Sequence, residues 1–396
     1  MPNKIAITGL GIISALGQTV LANKEALLQS KSGIGNLQHI DSIHANNIKV
    51  GEVALSNPEL EAKLKLPLHH NFTRTALLGG VAALEAIKNA EIDSISSFKT
   101  GLISATTVGG MDATEIHFNR FTTQPETQKY IASHHAADST QKIAALLGIT
   151  DFTTTISTAC SSAANAIMLG ARMIKAGKLD RVVVGGTDAL SKFTINGFKS
   201  LLLLSETHCK PFDANRNGLN LGEAAAYLVL ESEDAAKGKK VLAYLSGYGN
   251  ANDAHHQTAS SATGEGAFLA MQNALRTASI KPSKIEYVNA HGTATLNNDL
   301  SESVALQRIF GNNIPAFSAT KAFTGHTLAA AGAVEAVFSV LALQENCIFP
   351  NLNFEQEMPE TQLKPVTVLQ KKEINYILSN SFGFGGNCTS LVFSKI

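Results

Sequence analysis

Stretches that favour β-strands alternate with stretches that favour α-helices along the 396 residues of the chain. Strands are predicted where β-branched and aromatic residues cluster between turn residues, and helices where apolar residues recur three and four positions apart. This alternation is typical of an α/β fold with buried sheets. The predicted strands span 4–10, 100–105, 152–157, 181–185, 225–230, 241–247, 287–290, 316–318, 376–379 and 390–393. The predicted helices include 76–90, 161–176, 264–277, 299–310 and 329–344.

Two segments of the chain share one layout, which suggests a duplication. Residues 156–175 run from a strand end through a polar turn with Cys160 into a helix of small residues. Residues 317–343 run from a strand end through a turn with His326 into a helix rich in Ala and Gly. Small side chains let such helices pack closely against their neighbours. We therefore predict two related halves, each with one chemically active group at a helix start.

The composition limits the classes of function. With 44% hydrophobic and 16% charged residues the chain can bury a large core, and no Pro-, Ser- or charge-rich linker divides it. Its 32 basic and 32 acidic residues balance, so the overall charge does not favour nucleic-acid binding. The N-terminus lacks the pattern of a signal peptide, and the densest apolar run, residues 201–204, is far shorter than the roughly 20 residues of a membrane span. We expect a cytoplasmic protein without a membrane segment.

Four cysteines are present, and Cys160 is the one whose position indicates chemistry. Cys209, Cys347 and Cys388 are scattered, and no Cys-x-x-Cys pair indicates zinc or a redox dithiol. Cys160 lies at a predicted helix start, where the helix dipole and free backbone N–H groups favour the thiolate. Lowering a thiol pKa from about 8.5 to about 7 needs roughly 2 kcal/mol, more than a helix end usually supplies. We therefore expect a second group to help activate Cys160.

Two histidines stand beside glycines at predicted strand ends. His291 precedes Gly292 and His326 follows Gly325, so either ring can turn toward a pocket without a neighbouring side chain in the way. Each histidine alone could equally be a structural hydrogen-bonding residue. Two of them together with Cys160 favour a catalytic site.

Two glycine-rich segments have other interpretations. The first, residues 8–14, begins like a dinucleotide-binding fingerprint but has Ser14 in the third glycine position, so a structural turn is preferred to NAD binding. The second, residues 379–387, alternates glycine with Phe382 and Phe384 before the last strand. Its glycines could let the Phe384 N–H point into a site while the ring moves as a gate. A plain glycine-rich turn is the alternative.

Taken together, the motifs resemble those of the elongating β-ketoacyl-acyl-carrier-protein synthases. The resemblance extends over nearly the whole chain and also includes residues 210–213 and 222–223. It implies a thiolase-like fold in which two duplicated halves, 1–240 and 241–396, form five layers in the order αβαβα. The four motifs that carry it follow in order at 158–162, 289–293, 321–326 and 380–386.

The resemblance also implies an acyltransferase that lengthens a Cys-bound acyl chain by two carbons from malonyl-acyl-carrier protein, without metal or other cofactor. Its implied partners are acyl carrier protein and a second subunit, normally an identical one. Cys160 is then the nucleophile, and His291 and His326 promote decarboxylation. The backbone N–H groups of Cys160 and Phe384 form the oxyanion hole, and the ring of Phe384, with Phe382 in the same loop, forms the gate. The supporting polar residues are Lys321, Glu335, Asp299 and Glu302.

The chain departs from the family pattern at several positions. Leu296 replaces a usual proline, Asn387 and Cys388 stand where Thr-Asn is commoner, and Ala224 occupies a usual glycine position. None of these changes removes a catalytic atom. They favour a divergent member that serves a specialised pathway, such as polyene, pigment or polyketide assembly.

Parts of the sequence pattern are also compatible with other functions. A thiolase-type acyltransferase would use a second cysteine, and Cys388 is close to the last glycine loop. A non-catalytic chain-length subunit of a heterodimer would typically lack Cys160, and a cysteine hydrolase needs no second histidine near Lys321. Arg74, Arg120 and Lys129 are weak candidates for docking the carrier protein, since such residues are more often solvated surface charges.

Overall fold

The computed structural model describes residues 5–396, so Lys4, which was predicted to begin the first strand, lies outside the described residues. The strands are β1 (Ile5–Ile13), β2 (Val50–Gly51), β3 (Thr100–Ala105), β4 (Phe152–Ile156), β5 (Arg181–Asp188), β6 (Leu221–Gly222), β7 (Ala224–Glu231), β8 (Ala243–Asn252), β9 (Tyr287–Asn289), β10 (Ala316–Ser318), β11 (Cys347–Ile348), β12 (Gln370–Lys371), β13 (Tyr376–Phe382) and β14 (Asn387–Ser394). The α-helices are α1 (Val20–Leu28), α2 (Asn57–Leu64), α3 (Arg74–Asn89), α4 (Met111–His117), α5 (Ala137–Leu147), α6 (Ser162–Lys175), α7 (Lys192–Ser200), α8 (Glu265–Ala278), α9 (Leu296–Phe310), α10 (Lys321–Thr324) and α11 (Ala331–Glu345).

Ten strands form one mixed sheet whose two ends repeat the same topology. The order is β10-β9-β13-β14-β8-β1-β7-β5-β3-β4. The pairs β3–β4 and β3–β5 are parallel, like β9–β10 and β9–β13. The pairs β5–β7 and β7–β1 are antiparallel, like β13–β14 and β14–β8. The two halves therefore share one fold and meet where three residues of β1 pair with β8.

Three helix layers cover these strands. Helices α3 and α5 pack on β1, β3, β4, β5 and β7 from outside, and α8, with α9 beside it, packs on β8 and β14. Between the halves lie α6 and α11, which contact each other and strands of both halves. One cluster of buried apolar residues surrounds the central helices and includes strands of both halves, and each outer helix layer has a cluster of its own. The result is the predicted thiolase-like αβαβα arrangement.

Burial on both faces explains the composition of the central strands. Every residue of β1, β5 and β7 is buried, as expected for strands that lie between two helix layers. Gly9 and Gly11 are part of β1, and a Cβ on either would lie within 2.3 Å of a backbone oxygen of α3. The interpretation of this Gly-x-Gly as a turn is therefore wrong: the glycines allow a helix to pack closely on a strand.

The helix predicted at 329–344 is longer and more apolar than the sequence analysis recognised. Residues 328–345 form a helical segment of 18 residues that is long and apolar enough to cross a membrane, although 89% of it is buried inside the protein. The expectation that no apolar stretch approaches span length is therefore wrong. This segment contains α11 and belongs to the central layer, where apolar residues are needed on every side.

The ten predicted strands correspond to the ten strands of the mixed sheet, with bounds that differ by a few residues. The five predicted helices correspond to α3, α6, α8, α9 and α11. Helix α6 begins at Ser162, two residues after Cys160. The division of the chain at residues 240 and 241 stays a prediction, and it falls in the connection between β7 and β8.

Candidate active site

The turn between β4 and α6 presents Cys160 to the interior. Ala159 has φ +53°, a backbone conformation that costs a non-glycine residue free energy. The Ser162 Oγ accepts from the Thr158 N–H at 2.7 Å and donates to the Ala159 carbonyl oxygen at 2.5 Å. Cys160 itself is 7% exposed. The turn is thus fixed on both sides of the thiol.

The electrostatics of Cys160 differ from the expectation. Burial raises the pKa of its thiol to about 11, although the charge of Lys321 and a hydrogen bond from the Phe384 N–H oppose this rise. The helix start was predicted to lower the pKa of Cys160. This prediction is wrong for the pKa as a whole, because desolvation of the thiolate has a larger effect than the helix start. The prediction that other groups assist Cys160 agrees with the two opposing contributions.

His291 and His326 lie side by side below this turn. Their ring centroids are 5.5 Å apart with the planes at 89°, and the Phe382 ring lies 5.7 Å from that of His291. The His326 N–H donates to the Asn220 carbonyl oxygen at 2.7 Å, and the His326 carbonyl accepts from the Gly222 N–H at 2.9 Å. His291 follows β9 in the second half. The two histidines come from different loops, and each is held by its backbone.

Lys321 and Glu335 form a buried ion pair beside His291. The Lys321 Nζ donates to Glu335 Oε1, to the His291 carbonyl oxygen at 2.6 Å and to His291 Nδ1 at 3.1 Å. The Ser381 Oγ donates to the second Glu335 oxygen at 3.3 Å. Burial raises the pKa of Glu335 to about 6, although the charge of Lys321 opposes it. All three ammonium donors of Lys321 are engaged.

These contacts fix the tautomers of both imidazoles. The ammonium of Lys321 has no acceptor, so His291 Nδ1 accepts from it, and His326 Nδ1 accepts from the Leu328 N–H at 3.0 Å. Burial and the charge of Lys321 hold the pKa of both histidines well below 6.5. Each ring is therefore neutral near pH 7 and carries its proton on Nε2, where it can donate.

Asp299 and Glu302 anchor backbone rather than Lys321. Glu302 accepts from the N–H groups of His291 and Gly292, both at 2.9 Å, and burial raises its pKa to about 7. Asp299 accepts from the Ala294 N–H at 3.1 Å and from the Phe212 N–H at 2.7 Å. Glu302 and Asp299 thus support the His291 loop through its backbone, whereas Lys321 is held by Glu335 alone among the acids of the described residues.

The glycine loop lies directly against the nucleophile turn. A Cβ on Gly383 would lie 2.9 Å from the Thr158 oxygen and 3.1 Å from the Cys160 nitrogen. Gly385 and Gly386 have φ of +77° and +80°, which only glycine adopts readily. The Phe384 ring stacks on Phe198 at 5.9 Å. The segment is thus more than a plain turn, because it brings the Phe384 N–H to the thiol.

Two cavities meet at Cys160, Phe198 and Phe384. One, of about 220 Å³, also contains His291, His326, Phe382, Thr293 and Thr295. The other, of about 430 Å³, is mostly apolar and is lined by Val108, Phe193, Leu201 and Leu328 among others. The Phe384 ring borders both. The arrangement provides one space beside the histidines and a separate apolar space on the other side of the thiol.

Sequence reasoning missed several residues of the site. Asp188, at the end of β5, accepts from Thr106 and Thr107 and from the Ala329 N–H at 2.9 Å, so it ties the His326 loop to the first half. A polar residue directly after an apolar strand was the available signal. Leu202, noted above only as part of an apolar run, and Leu296, noted only as a departure from the family pattern, line the first cavity. They are 85% and 63% exposed, so they lie at its opening.

Two other candidates have different roles from those considered. Arg74 is 7% exposed and forms a buried ion pair with Glu223, so its proposed availability for docking a carrier protein is wrong. Arg120 and Lys129 are exposed. Cys388 lines the first cavity, but burial and the charges of Asp253 and Glu302 raise its thiol pKa strongly. It is therefore poorly suited to act as the base of a thiolase.

Comparison with known protein families gives two matches that cover most of the chain. The model of the β-ketoacyl synthase N-terminal domain matches residues 2–236, and that of the C-terminal domain matches residues 242–355. A curated relative, 3-oxoacyl-[acyl-carrier-protein] synthase 2 of Staphylococcus aureus (strain COL), is 33% identical over 408 residues. That alignment covers 99% of this chain and 98% of the relative.

Solved structures agree in fold over the full length. The ishigamide ketosynthase/chain length factor superposes with a TM-score of 0.93 at 26% identity, covering 100% of both chains. The ketosynthase ApeO in complex with its chain length factor ApeC, from Xenorhabdus doucetiae, gives 0.88 at 32% identity and covers 100% of this chain and 98% of that one. Both are described as combining a ketosynthase with a chain length factor.

Proposed function

The chain belongs to the β-ketoacyl synthase family, and on that premise we propose how its own residues carry out the reaction. It is a β-ketoacyl-[acyl-carrier-protein] synthase, an acyltransferase that joins an enzyme-bound acyl chain to a malonyl unit with loss of CO₂. The observation that carries the assignment of roles is the meeting of two cavities at Cys160, with two neutral histidines in one of them.

In the first step the Cys160 sulfur attacks the thioester carbonyl of an acyl-carrier protein. A C–S bond forms to Cys160, the bond to the carrier sulfur breaks, and the carrier leaves as a thiol that takes the proton from Cys160. The negative charge on the carbonyl oxygen is stabilised by the backbone N–H groups of Cys160 and Phe384. Removal of one such donor typically costs about 3 kcal/mol of transition-state stabilisation. The acyl chain extends into the apolar cavity beside Val108 and Phe193.

The second step is decarboxylation of the malonyl thioester in the other cavity. The bond to the carboxylate breaks, CO₂ leaves, and the electron pair passes to the thioester oxygen as an enolate. The Nε2–H groups of His291 and His326 donate to this oxygen. Neutral imidazoles suit the task because they can donate without acting as strong acids that would quench the enolate by protonation. Lys321 and Glu335 position the His291 ring, and Glu302 positions its backbone.

The third step forms the new carbon–carbon bond. The enolate carbon attacks the carbonyl carbon of the Cys160 thioester, and the charge passes to the oxyanion hole. Collapse of this intermediate breaks the C–S bond, so that Cys160 leaves as a thiolate, takes up a proton from solvent, and a β-ketoacyl carrier two carbons longer is released. Movement of the Phe384 ring, which borders both cavities, admits the two substrates in turn.

We further propose that the chain works with a second subunit of its own fold, normally an identical copy. Strand β4 is an edge of the sheet, and the apolar side chains of Ile116, Phe118, Ile131 and Phe193 are each more than half exposed. Exposed apolar residues on this scale favour a protein interface. The two similar solved structures that combine a ketosynthase with a chain length factor support such a factor as the alternative partner. Light scattering of the chain alone and co-expressed with such a subunit distinguishes the two.

The substrate class is proposed to be that of a specialised pathway rather than of primary fatty-acid synthesis. Two observations support this proposal. Leu296, Asn387 and Cys388, which depart from the family pattern, all lie at or beside the first cavity. The solved structures that the chain resembles include the ishigamide ketosynthase/chain length factor and ApeO with ApeC. A panel of acyl-carrier thioesters that differ in length and unsaturation tests this preference through the rate of adduct formation.

Intact-mass spectrometry of the protein after incubation with that panel tests the function itself. Wild-type protein is expected to gain the mass of one acyl group, and Cys160→Ala is expected to gain none. Cys347→Ala is a matched control, because Cys347 lies outside both cavities, and it should be acylated like the wild type. Absence of any adduct on the wild type would contradict the assignment of Cys160.

A further inference from the structure

Asn387 connects the gate loop to the nucleophile turn. It directly follows the loop that contains Phe384, and its own carbonyl oxygen accepts from the Gly383 N–H at 2.8 Å. Its side-chain Oδ1 accepts from the Ser161 Oγ at 2.8 Å, and Ser161 is the residue after Cys160. The backbone of Asn387 thus closes one segment while its side chain holds the other.

The Asn387 amide oxygen is the centre of a small polar network. It also accepts from Asn165 Nδ2 and Asn250 Nδ2, each at 2.9 Å. Asn165 Nδ2 donates in addition to the Thr158 Oγ1 at 2.9 Å, and Thr389 Oγ1 donates to Asn165 Oδ1 at 2.8 Å. These residues lie on or beside α6, β8 and β14, so the network joins elements of both halves.

The two connected segments differ in backbone strain. Ala159, beside Cys160, has φ +53°, which costs a non-glycine residue free energy, whereas Gly385 has φ +77°, which glycine adopts readily but which leaves its loop free to take other conformations. The oxyanion hole needs one N–H from each segment, and its benefit depends on both donors lying about 3 Å from the same oxygen atom. A direct link between the segments sets the spacing between the two donors.

We propose that Asn387 is a positioning residue for the oxyanion hole, holding the turn of Cys160 through its side chain and the loop of Phe384 through its backbone. A neutral amide oxygen accepts three donors here without adding negative charge beside a thiol that must ionise.

The proposal predicts a split between the two half-reactions. Acylation of Cys160 uses the oxyanion hole, whereas decarboxylation of malonyl-carrier protein uses His291 and His326, which do not contact the network. Asn387→Ala is expected to slow acylation at least about 20-fold, because a misplaced donor loses most of its effect. Decarboxylation to acetyl-carrier protein and CO₂ is expected to stay within about twofold. Asn387→Thr, with a hydroxyl that can accept from Ser161, is expected to restore acylation to within about fivefold of the wild type.

Single-turnover acylation followed by intact mass, and CO₂ release from malonyl-carrier protein, measure the two steps on the full-length protein. Asn89→Ala is the matched control and should leave both rates unchanged, because the Asn89 side chain accepts from the Leu10 N–H and has no other hydrogen bond among residues 5–396. Ser161→Ala cuts the same link from the other side and carries the test if Asn387→Ala does not fold.

Equal losses in both steps, unchanged acylation, or failure of Asn387→Thr to restore acylation would each overturn the proposal. The inference rests on the proposed acylation of Cys160, and the two can be told apart. A wild type that takes no acyl group contradicts the proposed function, whereas normal acylation of both the wild type and Asn387→Ala contradicts only the role of Asn387.

Discussion

The Lys321 Nζ lies 3.1 Å from His291 Nδ1 and 2.6 Å from the His291 carbonyl oxygen, so one ammonium group fixes both the ring and the backbone of a single histidine. Its third donor goes to Glu335, which is buried in the centre of α11. The charge of Lys321 also lowers the pKa of His291 and His326. Lys321 therefore fixes the geometry and tautomer of His291, and burial together with its charge keeps both histidines neutral.

Replacement of Lys321 by methionine is expected to lower malonyl decarboxylation by roughly 10- to 100-fold, since His291 loses the contact that fixes its tautomer. It should also lower the free energy of unfolding by about 3 to 5 kcal/mol, because Glu335 remains buried without its partner. The double variant Lys321→Met/Glu335→Leu removes both charges and should recover most of the stability but none of the activity. Urea unfolding and CO₂ release measure the two effects. Recovery of activity in the double variant would contradict the role given to Lys321.

Titration of His291 and His326 is expected to leave the rate of decarboxylation unchanged from pH 8 to pH 6, and any loss in this range is expected from Glu302 and Glu335, whose carboxyls burial raises to pKa values of about 7 and about 6. Burial and the charge of Lys321 lower the pKa of His291 and His326 well below 6.5, so protonation of either ring, which is the inactivating event, occurs only at a more acidic pH. Initial rates of CO₂ release across this range test the expectation. In Lys321→Met the acid limb should move to higher pH, because the repulsive charge is gone. A rate that halves near pH 6.5 in the wild type and also in Glu302→Gln and Glu335→Gln would show that the rings titrate normally.

Much of this site was predictable from the sequence, for an identifiable reason. Cys160, His291, His326 and the Phe384 loop lie in short motifs of small residues that follow strands, and the two related halves bring these loops together around one cavity. What the sequence did not reveal depends on pairing over long distances. Arg74 looked like a surface charge because Glu223, its partner, is 149 positions away. The apparent turn at Gly9 and Gly11 is a strand because α3 packs against it.

The pKa of Cys160 was mispredicted for a related reason. A helix start is a local feature that can be recognised in the sequence, whereas desolvation by the surrounding loops is not. In the structure the second effect is larger and the pKa rises to about 11. The strands and helices were nevertheless predicted well, because their patterns of apolar residues are local.

Alkylation of Cys160 by iodoacetamide is therefore expected to accelerate about tenfold per pH unit between pH 7 and pH 9, without reaching a plateau. Below its pKa the thiolate fraction grows in that proportion. Rates are read from intact mass with peptide mapping, and Cys160→Ala provides the background from the other cysteines. In Lys321→Met the alkylation should be slower at each pH, since a charge that favours the thiolate is lost. A plateau near pH 7 would mean that the thiol ionises there.

Two glycines of the gate loop provide a matched comparison. Gly383→Ala places a Cβ 2.9 Å from the Thr158 oxygen and 3.1 Å from the Cys160 nitrogen, so the loop must move away from the nucleophile. Gly385→Ala meets no atom within 4 Å and costs only about 1 kcal/mol for its left-handed backbone. Acylation measured by intact mass should fall at least about tenfold in Gly383→Ala and clearly less in Gly385→Ala. The reverse order would argue against the close packing of the Phe384 loop on Cys160.

The central claim is that one chain holds an acyl group on Cys160 and joins it to a carbon nucleophile formed beside His291 and His326. The most direct measurement is the mass of the carrier protein after wild-type enzyme, first loaded with an acyl group and freed of excess substrate, receives malonyl-carrier protein. The account predicts loss of the acyl mass from the enzyme and appearance of a β-ketoacyl carrier two carbons longer than the acyl group. Two results would contradict the account. In both, the enzyme keeps its acyl group, and the malonyl carrier either stays unchanged or is converted only to acetyl carrier.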